Sequence, residues 1–103
     1  MKDKSITKDF ILELIYTIID EHNKLYSDEL KMEKSLNTIL VGPEGKLDSL
    51  GLITFLVDVE SIIKKNIDQN ICVIDEILFL DENGPYRNVK NLSDYIFKKI
   101  NEN

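Results

Sequence analysis

A short run, Leu47-Asp48-Ser49-Leu50, places a hydroxyl group at the predicted start of a helix. A Gly-Pro-Glu-Gly turn at 42–45 precedes it, and an amphipathic stretch follows it. Asp48 is a good N-cap, because its carboxylate can accept backbone N–H groups of the first turn. Ser49 then lies in the partial positive charge of a helix N-terminus, where an attached phosphodiester is stabilised. We expect Leu50 to turn inward and anchor this site.

Nucleophilic hydrolysis is the first alternative for a serine in this position. The Gly-x-Ser-x-Gly pattern of such enzymes is only half present, because Gly51 fits but Leu47 occupies the other glycine position. His22 is the one histidine in the chain and therefore the only imidazole base available. The sequence disfavours a hydrolase and predicts no catalytic residue.

Metal chemistry has equally little support. One cysteine, Cys72, and one histidine cannot form a zinc site, and a single cysteine forms no internal disulfide. Asp81, Asn83 and Gly84 hint at a calcium loop, but Tyr86 and Leu92 stand where that loop needs glycine and glutamate. We predict no metal site, an ordinary turn at 81–86, and a buried Cys72 thiol within an apolar run.

The elements that must position Ser49 are predominantly helical. Apolar residues at helical spacing predict a long helix at the start, with Thr7 or Ser5 as its cap, and a second helix from Asp48 or Ser49. The first helix covers 7–26, and a long loop with one short helical turn follows at 27–47. The second helix runs from 48 or 49 to about 65, and a short third helix covers 71–80. After a turn at 81–86, a last helix covers 89–100 and is capped by Asn88. At 71–74 the β-branched residues leave a strand open as an alternative.

Composition agrees with one small helical domain, spanning 1–103. The chain is 103 residues long, 43% hydrophobic, and contains only two prolines and four glycines. No signal peptide or apolar run of membrane-spanning length is visible, so we expect a cytoplasmic location. The net charge of −6 disfavours nucleic acid and suits partners with basic patches, although acidity also simply favours solubility.

Asp48-Ser49-Leu50 resembles the Asp-Ser-Leu signature of the acyl carrier protein family. Leu52, Leu56 and Glu60 continue the helix as in that family, and 93–96 (Ser-Asp-Tyr-Ile) resembles its ending. The resemblance implies an acyl-carrier-like, all-α four-helix bundle with a long loop between helices 1 and 2. It also implies 4′-phosphopantetheine on Ser49, with Asp48 as the helix cap and a docking point for the transferase.

The same resemblance implies a monomeric carrier that is not itself an enzyme. Its implied partners are a phosphopantetheinyl transferase, an acyl-loading ligase, and acyltransferase or synthase enzymes with basic docking patches. Gly51 and Thr54 stand where the fatty-acid carriers usually show acidic residues. We therefore expect a carrier for a specialised pathway. A peptidyl or aminoacyl carrier, and an unmodified docking module of the same fold, remain open.

Overall fold

The computed structural model describes residues 6–26, 28–81 and 83–102. These residues form three α-helices, α1 (Lys8–Leu25), α2 (Ser49–Ile67) and α3 (Val89–Glu102). Two 3₁₀ helices, Asp28–Leu30 and Glu76–Leu80, lie in the connections. Within the described ranges no β-strand occurs, and one isolated antiparallel bridge joins Ile39 to Asn88. The all-α prediction is confirmed.

The helix starts follow the predicted caps. The Thr7 hydroxyl accepts the Phe10 N–H at 3.1 Å, and the Asn88 side chain accepts the Asn91 N–H at 2.7 Å. Each bond satisfies a backbone donor that the first turn leaves without a helical partner. Ser5, the other suggested cap for α1, lies outside the described residues.

Helix α1 packs against both α2 and α3. Of the apolar residues expected to form its buried stripe, Phe10 is half-buried and Leu25, in the last turn, is 78% exposed. The others are buried, namely Ile11, Leu14, Ile15, Ile18 and Ile19. Connecting segments complete the core, with Met32, Leu40 and Leu47 coming from the long loop between α1 and α2. The most deeply buried members of the core include Ile11, Ile15, Ile19, Leu40, Leu56, Val59, Ile63, Val73, Tyr86, Val89, Leu92 and Ile96.

A four-helix bundle is not confirmed, since the described residues contain three α-helices. The predicted third helix at 71–80 is wrong for 71–75, which have no regular secondary structure, and the remainder is the 3₁₀ helix. Ile71 and Val73 are buried while Cys72 between them is exposed. This alternation is typical of an extended path with every second side chain inward, which β-branched residues favour.

Side chains from elsewhere in the fold hold this extended segment in place. The Glu60 carboxylate accepts the N–H groups of Val73 at 2.6 Å and Ile74 at 3.1 Å. The Tyr86 hydroxyl donates to the Val73 carbonyl and accepts the Asp75 N–H at 2.9 Å. Burial raises the pKa of Tyr86 to about 12, so the phenol keeps the proton it donates.

Candidate functional site

Helix α2 begins at the predicted residue. Asp48 is its N-cap, with extended backbone angles (φ −87°, ψ −173°), and its carboxylate accepts the Gly51 N–H at 2.7 Å. Its carbonyl accepts the Leu52 N–H at 2.8 Å, which is the first hydrogen bond of the helix. The predicted capping role of Asp48 is confirmed.

Ser49 occupies the first position of α2 and is exposed to solvent. Its hydroxyl makes no hydrogen bond to any described residue, and neither do the backbone N–H groups of Ser49 and Leu50. These N–H groups carry the positive end of the helix dipole. The site therefore combines an accessible hydroxyl with two backbone donors free to bind an anionic group attached to it.

The turn before the site is closed and fastened to the fold. The Leu47 N–H donates to the Leu40 carbonyl at 3.0 Å, and the Gly45 N–H donates to the Gly42 carbonyl at 3.0 Å. Gly42 has φ 97°, a conformation that favours glycine. The Leu40 N–H in turn donates to the Arg87 carbonyl at 2.8 Å. Hydrogen bonds through Leu40 thus connect the turn before Ser49 to the segment that leads into α3.

The expectation that Leu50 turns inward is wrong, because this side chain is 72% exposed. The anchoring apolar residues are its neighbours, Leu47 at 7% exposure and Leu52 at 3%. Leu52 shares the inward face of α2 with Leu56, four residues on, and Val59, seven residues on, whereas Leu50 does not lie on that face. That helical register was readable in the sequence and would have identified Leu52 as the anchor.

A groove of about 600 Å³ runs between α1 and α2 beside the site. Ile18, Phe55 and Ile62 are among its apolar lining residues, and Gly51 lies at the end nearest Ser49. His22 also lines it, but the imidazole Nε2 lies 3.1 Å from the Leu30 carbonyl, and the ring lies 4.4 Å from that of Tyr26. This histidine makes no hydrogen bond with Ser49.

Two further residues singled out in the sequence do not join the site. Cys72 was expected to be a buried thiol, which is wrong: it is exposed, with Sγ 3.4 Å from the Ile74 carbonyl. The Asp81 carboxylate accepts the Asn83 N–H at 3.0 Å within a turn that the Gly84 N–H closes on the Asp81 carbonyl. Among the described residues, no group of three side chains is placed to hold a metal ion.

Neither a family model, nor a curated protein, nor a solved structure matches this chain. In the part of the chain that the structure describes, no helix has both the length and the apolar character needed to cross a membrane. The case for a function therefore comes from the site itself and from the resemblance carried by its residues.

Proposed function

We propose that the protein is an acyl carrier protein whose Ser49 bears a 4′-phosphopantetheine arm. A single observation carries the proposal: the serine of an Asp-Ser-Leu run is exposed at the first turn of a helix, and its hydroxyl has no partner among the described residues. A modification enzyme needs such a hydroxyl within reach, and the position of Ser49 directly after the Asp48 cap leaves it accessible.

The modification reaction requires no catalytic group from the carrier itself. The Ser49 oxygen attacks the phosphorus that bears pantetheine in coenzyme A, a P–O bond of the pyrophosphate breaks, and the nucleotide leaves. The hydroxyl proton goes to a base of the transferase, so the carrier needs none. What the carrier supplies is an exposed oxygen at a fixed place, with the free N–H groups of Ser49 and Leu50 close to the phosphodiester that results.

The thiol at the end of the arm then carries an acyl group as a thioester. On this proposal a ligase loads the group, and acyltransferase or synthase enzymes of a specialised pathway consume it. The family's usual acidic positions at Gly51 and Thr54 are uncharged here, which supports dedicated partners over the general enzymes of fatty-acid synthesis. The carrier itself has no catalytic role in this scheme.

Intact mass measurement tests the proposal. The apo protein is incubated with coenzyme A and a broad-specificity phosphopantetheinyl transferase, beside Ser49→Ala and Ser61→Ala. Ser61 is a matched control, because it is an exposed serine on the same helix. We expect the wild type and Ser61→Ala to gain one phosphopantetheinyl group and Ser49→Ala to gain none. An unmodified wild type would instead support a docking module.

Because the Cys72 thiol is exposed, acylation at Cys72 must be distinguished from acylation at the thiol of the arm. A Cys72→Ser variant has no thiol before modification, since Cys72 is the only cysteine in the chain. We expect modification of this variant to create one titratable thiol, and an acyl-loading reaction to acylate it. Acylation of the wild type but not of modified Cys72→Ser would place the acyl group on Cys72 and overturn the carrier role.

A further inference from the structure

We infer that the acyl group carried on Ser49 ends in a carboxylate or another negatively charged group, and that Lys64 binds this group in a polar pocket beside α2. The inference rests on the proposed function and names the substrate class of that function. It also gives a role to a cation that takes no part in the candidate site at the start of α2.

The polar pocket lies between the last turns of α2 and the extended segment at 71–75. Its volume is about 380 Å³, and it is lined by Glu60, Ser61, Lys64, Asn70, Ile71 and Cys72. Only Ile71 among these has a purely hydrocarbon side chain. Such a lining favours a ligand with charge or hydrogen-bonding groups over an alkyl chain, which would separate these polar groups from water without replacing their hydrogen bonds.

Ser49 and the polar pocket lie on the same side of α2. Glu60 and Lys64 follow Ser49 by about three and about four helical turns, which correspond to roughly 16 Å and 22 Å along the helix axis. A phosphopantetheine arm is as long as about five residues of extended chain, or roughly 17 Å. An arm that follows α2 therefore brings its thiol level with Glu60, and the acyl group beyond the thiol extends to Lys64.

The groups in the pocket that are free to bind cargo are hydrogen-bond donors. The Glu60 carboxylate is already occupied, because it accepts two backbone N–H groups of the extended segment at 2.6 Å and 3.1 Å. The side chains of Lys64, Ser61 and Asn70 make no ion pair or hydrogen bond with a described residue. An ammonium, a hydroxyl and an amide around one pocket match the acceptor oxygens of a carboxylate.

The core beneath this part of α2 is closed to an alkyl chain. Leu56, Val59 and Ile63 form its inward face and are at most 1% exposed. Cargo at this place therefore contacts the polar groups of the surface. An exposed ion pair contributes little to binding between separate molecules. The covalent arm holds the carboxylate near Lys64 at a high effective concentration, so that a weak pair is sufficient.

NMR spectroscopy of the loaded full-length protein tests this inference. A broad-specificity transferase attaches the arm from coenzyme A, succinyl-coenzyme A or butyryl-coenzyme A, and the two acyl groups have the same length but differ in terminal charge. ¹H–¹⁵N spectra of the three products are compared for the wild type, Lys64→Gln and Lys65→Gln. Lys65 is the matched control, because it is the next residue of α2, is also exposed, and lines the groove between α1 and α2 instead.

We expect the succinyl group to shift the side-chain amide signal of Asn70 and the backbone amide signals of Ile71 and Cys72. The butyryl group should leave these signals where they are in the protein with an unloaded arm. The shifts should be lost in Lys64→Gln and retained in Lys65→Gln. Raising NaCl from about 0.05 to 0.5 M should reduce them at least about twofold, because salt screens an exposed ion pair. Unchanged signals from the core residues confirm that the variants are folded.

Equal shifts from both acyl groups, no shift from the succinyl group, or shifts that persist in Lys64→Gln would overturn the inference while leaving the carrier role intact. Loss of the shifts in Lys65→Gln as well would also overturn it, because the general charge of α2 and not Lys64 would then be responsible. Failure of the wild type to be modified would instead remove the proposed function.

Discussion

The start of α2 and the extended segment at 71–75 bind their unpaired backbone N–H groups in different ways. Both contain backbone N–H groups without a helical partner, and in each region a carboxylate accepts one or two of these groups. At α2 the acceptor, Asp48, is three residues from its donor, Gly51. In the extended segment the acceptor, Glu60, is 13 and 14 residues from Val73 and Ile74. One solution is local in sequence and the other depends on the assembled fold.

This difference divides the molecule into a locally specified site and a region fixed by tertiary contacts. The start of α2 is set by residues next to Ser49. The extended segment has no helix or sheet of its own and is held by Glu60 from α2 and by Tyr86 from the turn before α3. Substitutions in the two regions should therefore lower the free energy of unfolding by different amounts.

Glu60→Ala should have the largest effect, lowering the free energy of unfolding by about 2–3 kcal/mol in urea titration. The substitution removes a charged acceptor from two N–H groups, one of them on fully buried Val73. Asp58→Ala is the control, because Asp58 is exposed on the same helix and makes no hydrogen bond or ion pair with a described residue. Equal losses for the two variants would show that Glu60 does not hold the segment.

Tyr86→Phe should lower the free energy of unfolding by about 1–2 kcal/mol at pH 7, because the Val73 carbonyl and the Asp75 N–H both lose a partner. The difference between wild type and variant should also depend on pH. The folded state raises the pKa of Tyr86 from 10.0 to about 12, so its stabilising contribution is complete below pH 10 and declines as the pH rises towards 12.

Urea titrations of both proteins from pH 7 to 11 measure that difference. Subtracting the variant from the wild type removes the contribution of the lysines and the other tyrosines, which the two proteins share. A difference that stays constant to pH 11 would show that the Tyr86 hydroxyl is not held in its protonated form by the fold.

Asp48→Ala should have the smallest effect, about 1 kcal/mol, the usual cost of losing an N-cap. Asp48→Asn keeps an acceptor oxygen for the Gly51 N–H and should remain within a few tenths of a kcal/mol of the wild type. Urea titration of the three proteins checks this. A loss in Asp48→Ala equal to that in Glu60→Ala would remove the distinction between the two regions.

The same distinction explains which sequence-based predictions are confirmed. Thr7, Asp48 and Asn88 were identified as caps, and each accepts a backbone N–H three residues later. Capping depends on residues adjacent in sequence, so the pattern is visible without the fold. The start of α2 at Ser49 follows from the Asp48 cap, and it too was predicted.

The predictions that are wrong depend on contacts distant in sequence. Helix at 71–75 and a buried Cys72 were expected because the run is strongly apolar. The acceptor provided by Glu60 and the hydroxyl of Tyr86 select an extended path there, and this path turns Cys72 outward. Nothing within 71–75 shows that these partners are present. The wrong prediction for Leu50 has another cause. The spacing of the apolar residues in the sequence already placed Leu50 off the buried face of α2.

The closed turn ahead of Ser49 makes the chain tolerant of added length. The hydrogen bonds between Leu40 and Leu47 and between Gly42 and Gly45 join the two sides of the turn, while Pro43 and Glu44 at its tip are exposed. Extra residues between Pro43 and Glu44 extend outward, and the entropy of a longer loop rises only slowly with its length. We expect a peptide tag inserted there to open the Gly42–Gly45 turn but to keep the Leu40–Leu47 hydrogen bond at its base, and with it the position of Ser49.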